Sequence, residues 1–184
     1  MAKLFYVIGP SGAGKDSVLD YARQHATASL PASFAHRYIT RVAESGNENH
    51  VALAEHEFNA RLDRGFFAMN WGSHGLQYGI GIEINYWLEK GIHVVVNGSR
   101  GYLEEAAKKY PEICPVLIDV PIGILHERLL DRGRENSRQI KERIERANSF
   151  AAISHQRLVK LDNSGPLQQA GNRFLHLLTN SVCG

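Results

Sequence analysis

Leu4-Phe5-Tyr6-Val7-Ile8-Gly9-Pro10-Ser11-Gly12-Ala13-Gly14-Lys15-Asp16-Ser17 is the stretch that decides the fold. Its first five residues are apolar and read as a buried strand. The next seven spell G-x-x-x-x-G-K, a phosphate-binding loop, in the setting that loop requires: after a strand and before a helix. Glycines at 9, 12 and 14 let the backbone turn so that successive N–H groups point inward at phosphate oxygens. The helix expected from about Lys15 to His25 aims its positive end at the same place. Lys15 then brings a mobile charge to the β- and γ-phosphates. The donor-binding set is therefore Gly9, Pro10, Ser11, Gly12, Ala13, Gly14, Lys15, Asp16 and Ser17.

One position departs from the usual rule, which wants Ser or Thr after the lysine to hold Mg²⁺. Here Asp16 stands there, followed by Ser17. A carboxylate is a good hard ligand for Mg²⁺, so Asp16 is a candidate metal ligand. The alternative is that Asp16 only stabilises the helix end and that Ser17 or water serves the metal.

Outward from this loop, apolar runs alternate with helical patterns. Strand-like segments are 4–8, 66–71, 93–97, 113–120 and 157–161. Helical patterns cover 16–24, 55–64, 83–90, 102–110, 122–130, 137–150 and 167–178. Such alternation predicts an α/β fold, a parallel sheet with helices on both faces. Ligands in these sheets sit beyond the carboxyl ends of the strands. Two stretches break the pattern, 35–82 and the arginine-rich loop at 132–138. They read as an acceptor-binding lobe (about 35–82) and a lid (about 132–143) within a single domain spanning 1–184. No internal repeat is visible.

With 184 residues the chain is long enough for one domain with a core. A formal net charge of +2 is too small to argue for a nucleic-acid partner. No apolar run approaches the roughly 18 residues of a membrane span, and the first strand begins too early for a signal peptide. Two cysteines, Cys114 and Cys183, exclude a disulfide framework and point to a reducing cytoplasm. Nothing in the sequence indicates an oligomer.

The basic residues cluster. His36-Arg37-Tyr38-Ile39-Thr40-Arg41 is strand-like, and alternation puts Arg37, Ile39 and Arg41 on one side. Arginine suits bidentate phosphate recognition. Farther on, Arg132 and Arg143 flank the polar loop, as a phosphoryl-transfer lid requires to exclude water and neutralise charge on the transferring group. Arg138 and Arg146 read as a solvated helix face. Lys15, Arg132 and Arg143 form the expected catalytic set. No general base stands out, and none is needed if the acceptor is an ionised phosphate.

The chain resembles the guanylate-kinase-like branch of the P-loop kinases over nearly its whole length. Gly9–Lys15 is similar to that family's phosphate loop, and Tyr38-Ile39-Thr40-Arg41 to its acceptor-phosphate element. Glu57-Phe58, Gly65-Phe66, His74-Gly75 and Tyr78-Gly79 resemble its acceptor lobe. Arg128-Leu129 with Arg132-Gly133 resembles the approach to its lid, and Asn163 the asparagine bordering the adenine. This resemblance implies Mg²⁺ as cofactor, Asn163 at ATP, and Arg37, Tyr38, Arg41, His50, Tyr78, Asn97, Ser99 and Arg100 at the acceptor.

The departures from the family pattern are informative. Guanylate kinases place a glutamate where this chain has Met69, a small hydroxyl residue at Ile80, and acidic residues within Val96-Asn97-Gly98-Ser99-Arg100. A second family arginine is replaced by Glu44, and the lobe tyrosine by His50. Met69 and Ile80 have no side-chain groups to pair with guanine, and each unpaired polar group costs about 1–3 kcal/mol. The Gly-Lys-Asp-Ser start of the helix, 36–41, 46–50, 96–100 and 132–136 resemble members of this branch that act on a base-free acceptor in phosphonate degradation. The implied reaction moves the γ-phosphoryl of ATP to the 1-phosphate of ribose 1,5-bisphosphate. Alternatives are a nucleoside monophosphate kinase with altered base choice, or a guanylate-kinase-like binding module without chemistry. A P-loop GTPase lacks support because no Asn-Lys-x-Asp motif occurs. Asp119 has Walker-B-like spacing but reads as structural.

Overall fold

The computed structural model describes residues 1–42, 50–131, 133, 136–150 and 152–180. Its strands are β1 (Leu4–Ile8), β2 (Ala32–Phe34), β3 (Arg37–Ile39), β4 (His50–Ala52), β5 (Phe67–Ser73), β6 (Leu76–Gly81), β7 (His93–Asn97), β8 (Ile113–Asp119) and β9 (Val159–Asp162). Its helices are α1 (Lys15–His25), α2 (Glu55–Asp63), α3 (Glu83–Glu89), α4 (Leu103–Lys109), α5 (Ile122–Asp131), α6 (Ser137–Asn148) and α7 (Leu167–Asn180). A 3₁₀ turn, Arg100–Tyr102, precedes α4. The strand order of the larger sheet is β2-β7-β1-β8-β9. β2 runs parallel to β7, and β8 to β9. The α/β architecture expected from the alternating pattern is present.

The chain divides into two compact units. One comprises Met1–Tyr6 and Pro31–Ile113, the other Val7–Leu30 and Cys114–Gly184. All five residues of β1 and of β7 are buried; β1 is apolar throughout, and β7 has an apolar centre, Val94, Val95 and Val96, between His93 and Asn97. In the second unit α1 packs against α7. There Gly171 is required by close approach, since a Cβ would lie 2.0 Å from the Tyr21 ring. α6 starts at a capping box in which Asn136 and Gln139 exchange side-chain-to-backbone bonds.

The first unit carries a second sheet, of order β4-β3-β6-β5. β3 pairs parallel with β4 and antiparallel with β6, and β5 and β6 form an antiparallel hairpin. This corrects one expectation: the strand at 66–71 belongs here, not to the parallel sheet. Strand periodicity shows that a segment is extended but not which partner it takes. β2 and β4 were not anticipated, because three residues are too few to show a period, nor was β6, which is rich in glycine and polar residues. The β5–β6 turn places His74 (φ 51°) and Gly75 (φ 73°) in the left-handed region, as a two-residue primed turn demands.

Cys114 is buried in β8, but it is disulfide-bonded rather than a free core thiol. Cys183 lies outside the described residues. Among the described residues, no helix is long and apolar enough to cross a membrane.

Candidate active site

In the second unit the end of β1 leads into the loop at 9–14. Ala13 N–H donates to the Pro10 carbonyl at 3.1 Å and tightens the turn. Gly14 has φ 84° and precedes α1 with no side-chain cap. A Cβ there would lie 2.5 Å from Asn163 Nδ2, and one on Gly9 2.7 Å from the Ile118 carbonyl. The loop is thus sterically closed to larger residues at both ends. α1's leading N–H groups have no capping side chain, an arrangement suited to an anion. Lys15 Nζ donates to the Gly9 carbonyl at 2.8 Å and, less closely, to that of Pro10 at 3.4 Å. Its charge is therefore held over the loop. Asp16 is half-buried in the first turn of α1, and Ser17 is exposed.

Asn163 is buried, and its Nδ2 donates to the Ala13 carbonyl at 2.7 Å. Its own backbone is fixed twice. Its N–H donates to the Asp119 carbonyl at 2.9 Å, and its carbonyl accepts from Arg128 Nη2 at 2.8 Å. The side chain implied by resemblance to border the adenine is thus engaged with the phosphate loop, across 150 residues of sequence. Arg128 is a part of this support that spacing alone did not single out. The Asp119 carboxylate accepts from the adjacent Val120 N–H. Arg143, on α6, donates to Ser11 Oγ at 2.7 Å, which brings one expected lid arginine to the loop. Arg132 lies outside the described residues.

The first unit holds the expected acceptor residues. Arg37 lies 5.4 Å over the Tyr78 ring. Tyr78 stacks on Trp71 with centroids 5.7 Å apart and planes 1° apart, and Trp71 stacks on Tyr102 at 5.7 Å. A row of three rings with a guanidinium at one end results, each contact favourable through the rings' quadrupoles. Tyr38 is not part of it. Its ring packs on Phe67 at 5.6 Å, and Arg61 covers it at 5.3 Å. Alternation along β3 separates Tyr38 from Arg37. Arg41 Nη2 lies 3.4 Å from His50 Nδ1, and His50 Nε2 lies 3.4 Å from the Arg41 carbonyl, both long contacts. Arg41 also lines a cavity of about 480 Å³ with Thr40, Leu53, Glu55 and Gly75 among its walls. Asn97 ends β7, nearly buried, and Ser99 and Arg100 follow. The stretch 43–49, which includes Glu44 and most of 46–50, lies outside the described residues.

Met69 and Ile80 pair across β5 and β6, and neither is exposed at all. At this point the lobe presents packed hydrocarbon.

No protein-family model matches the chain. Among curated proteins it is 54% identical, over 99% of its own length and 97% of the other's, to ribose 1,5-bisphosphate phosphokinase PhnN of Desulfomicrobium baculatum. The chain belongs to the ribose 1,5-bisphosphate phosphokinase family. Proteins of the same name from Psychromonas ingrahamii and Thiobacillus denitrificans are each 52% identical, over 98% and 97% of this chain and 91% and 94% of theirs. Among solved structures, guanylate kinase from Anaplasma phagocytophilum superposes with a TM-score of 0.72 over 98% of this chain and 85% of that one, at 13% identity. A sugar kinase from a Janibacter species matches at 0.53, also at 13% identity, over 99% of this chain and 96% of that one. The fold of this phosphokinase family is therefore that of guanylate kinase.

Proposed function

We propose that this chain transfers the γ-phosphoryl group of ATP to the 1-phosphate of ribose 1,5-bisphosphate, giving 5-phosphoribosyl diphosphate and ADP. The observation that carries this reading is the end-to-end likeness, 54% over 99% of the chain, to a curated enzyme of that name. In the step itself an oxygen of the 1-phosphate attacks the γ-phosphorus while the bond to the β–γ bridging oxygen breaks. The attacking oxygen is already ionised near neutral pH, so positioning and charge neutralisation suffice.

The loop at 9–14 and the start of α1 would cradle the β- and γ-phosphates, with Lys15 turning from the loop carbonyls onto them. Arg143, and Arg132 with it, would offset charge on the transferring group. Arg37, Arg41, His50, Tyr78, Asn97, Ser99 and Arg100 would hold the two phosphates and the sugar. Tyr38 would support the lobe from the other face of β3. Buried Met69 and Ile80 support a base-free acceptor, because they offer guanine no partner.

Mg²⁺ fits the donor set. It takes one or two protein oxygens and completes its shell with phosphate and water, and Asp16 or Ser17 supplies such an oxygen at the loop. A Mg²⁺ held by Asp16 or Ser17 would supply charge neutralisation at the β- and γ-phosphates. Dependence on ATP supports work in the cytoplasm. The test is phosphorus NMR of the protein with MgATP and ribose 1,5-bisphosphate. New diphosphate resonances from the acceptor are expected. Their absence, with turnover of GMP in a parallel sample, would overturn the reading.

A further inference from the structure

We propose that Tyr6 is a positioning residue for the acceptor, its hydroxyl fixing the turn at 97–100 that presents Ser99 and Arg100. The inference rests on the acceptor reading above and adds to it a residue in the middle of the first strand. Tyr6 has no exposed surface. Its neighbours in β1 are hydrocarbon, and a phenylalanine would fill the same space. A phenol in such a place is costly unless its hydroxyl is satisfied.

The hydroxyl is satisfied by one residue, twice. It donates to the Ser99 carbonyl at 3.0 Å and accepts from the Ser99 N–H at 2.9 Å. The same carbonyl accepts from the Tyr102 N–H at 3.1 Å. The preceding residue is shaped around the ring: a Cβ on Gly98 would lie 2.3 Å from Tyr6 Cζ. Ring and hydroxyl therefore hold both residues flanking the 98–99 peptide bond. Arg37 and Tyr102 also lie close enough to act electrostatically on this hydroxyl, Arg37 favouring its ionised form and Tyr102 opposing it. Burial outweighs both and keeps the hydroxyl protonated, hence a donor. Tyr6 thus stands where the Arg37 end of the lobe, the Ser99 turn and the stacked ring of Tyr102 converge. A backbone tied by two bonds to a buried side chain holds its outward side chains in one geometry, which is what recognition of a small, highly charged acceptor requires.

The test uses Tyr6→Phe and Gly98→Ala in the full chain. Tyr6→Phe keeps the ring and removes both bonds. Gly98→Ala forces ring and turn apart. Three quantities are measured: KM for ATP and for the acceptor, hydrogen exchange of the Ser99 amide, and the melting temperature. Faster Ser99 exchange is expected, with an acceptor KM raised about tenfold, the factor that about 1.4 kcal/mol represents. KM for ATP should stay within about twofold, since the donor loop makes none of these contacts. A purely structural Tyr6 would lower the melting temperature and leave the ratio of the two KM values unchanged, and that outcome overturns the proposal. The acceptor reading is checked separately on the wild type, with ribose 1,5-bisphosphate and GMP side by side. If GMP is the one turned over, that reading fails and the Tyr6 split is read on GMP. If neither is turned over, the site takes no acceptor and the proposal falls with it.

Discussion

Replacing Asn163 by alanine should loosen the phosphate loop without unfolding the protein. The side chain is 4% exposed at the residue level and spends its amide on the Ala13 carbonyl at 2.7 Å. Removing it leaves a buried carbonyl short of a partner, which costs about 1–3 kcal/mol. At about 2–4 °C per kcal/mol for a chain of this size, the melting temperature should fall by roughly 2–12 °C. The backbone bonds from Arg128 and to Asp119 survive, so residue 163 stays in place and only its grip on the loop is lost. KM for ATP should rise several-fold while that for the acceptor holds. Asn163→Asp should be worse at neutral pH, because an ionised carboxylate turns an oxygen with no proton toward the Ala13 carbonyl. A double-mutant cycle with Gly14→Ala sharpens the test. In the wild type that alanine meets Asn163 Nδ2 at 2.5 Å and also takes φ 84°. With Asn163→Ala the clash is gone, leaving a left-handed strain of about 1–2 kcal/mol. Urea and thermal unfolding of the four proteins read the coupling. Strict additivity, together with an unchanged KM for ATP in Asn163→Ala, would refute the role assigned to this bond.

Lys15→Ala should retain less than about a tenth of kcat, a barrier increase above ~1.4 kcal/mol, with an unchanged circular dichroism spectrum; higher activity would remove Lys15 from the catalytic set. Asp16→Asn should weaken the Mg²⁺ dependence of kcat and Asp16→Ser should recover part of it, and superimposable Mg²⁺ titrations of the three proteins would reduce Asp16 to a helix-end residue. Tyr110 donates to Asn85 Oδ1 at 2.7 Å, and burial, with Tyr102 adding to it, pushes its hydroxyl from 10.0 up to about 12. A raised folded-state value means stability is complete below about pH 10 and is lost as pH climbs toward 12. Urea midpoints from pH 8 to 11.5 should therefore fall less steeply for Tyr110→Phe, and identical slopes would exclude this linkage.

The sequence alone determined what local chemistry encodes. The loop at 9–15 is legible because glycine spacing, a lysine and flanking periodicity act within a few residues of one another. Helix α1 and strands β1 and β7 lie within a residue of where periodicity puts them, for the same reason. The separation of Arg37 from Tyr38 follows from simple alternation along β3, whereas Arg41 lies in the bend beyond that strand. The rest depends on how distant segments pack. That 66–71 pairs antiparallel with β6 depends on a partner's register, which no single segment carries. That Asn163 reaches back to Ala13, and Tyr6 forward to Ser99, spans 150 and 93 residues. Nothing in either neighbourhood marks those bonds. A buried polar group must find a partner somewhere, but which one is settled by how the chain packs, and that information is spread over every element that brings the two ends together.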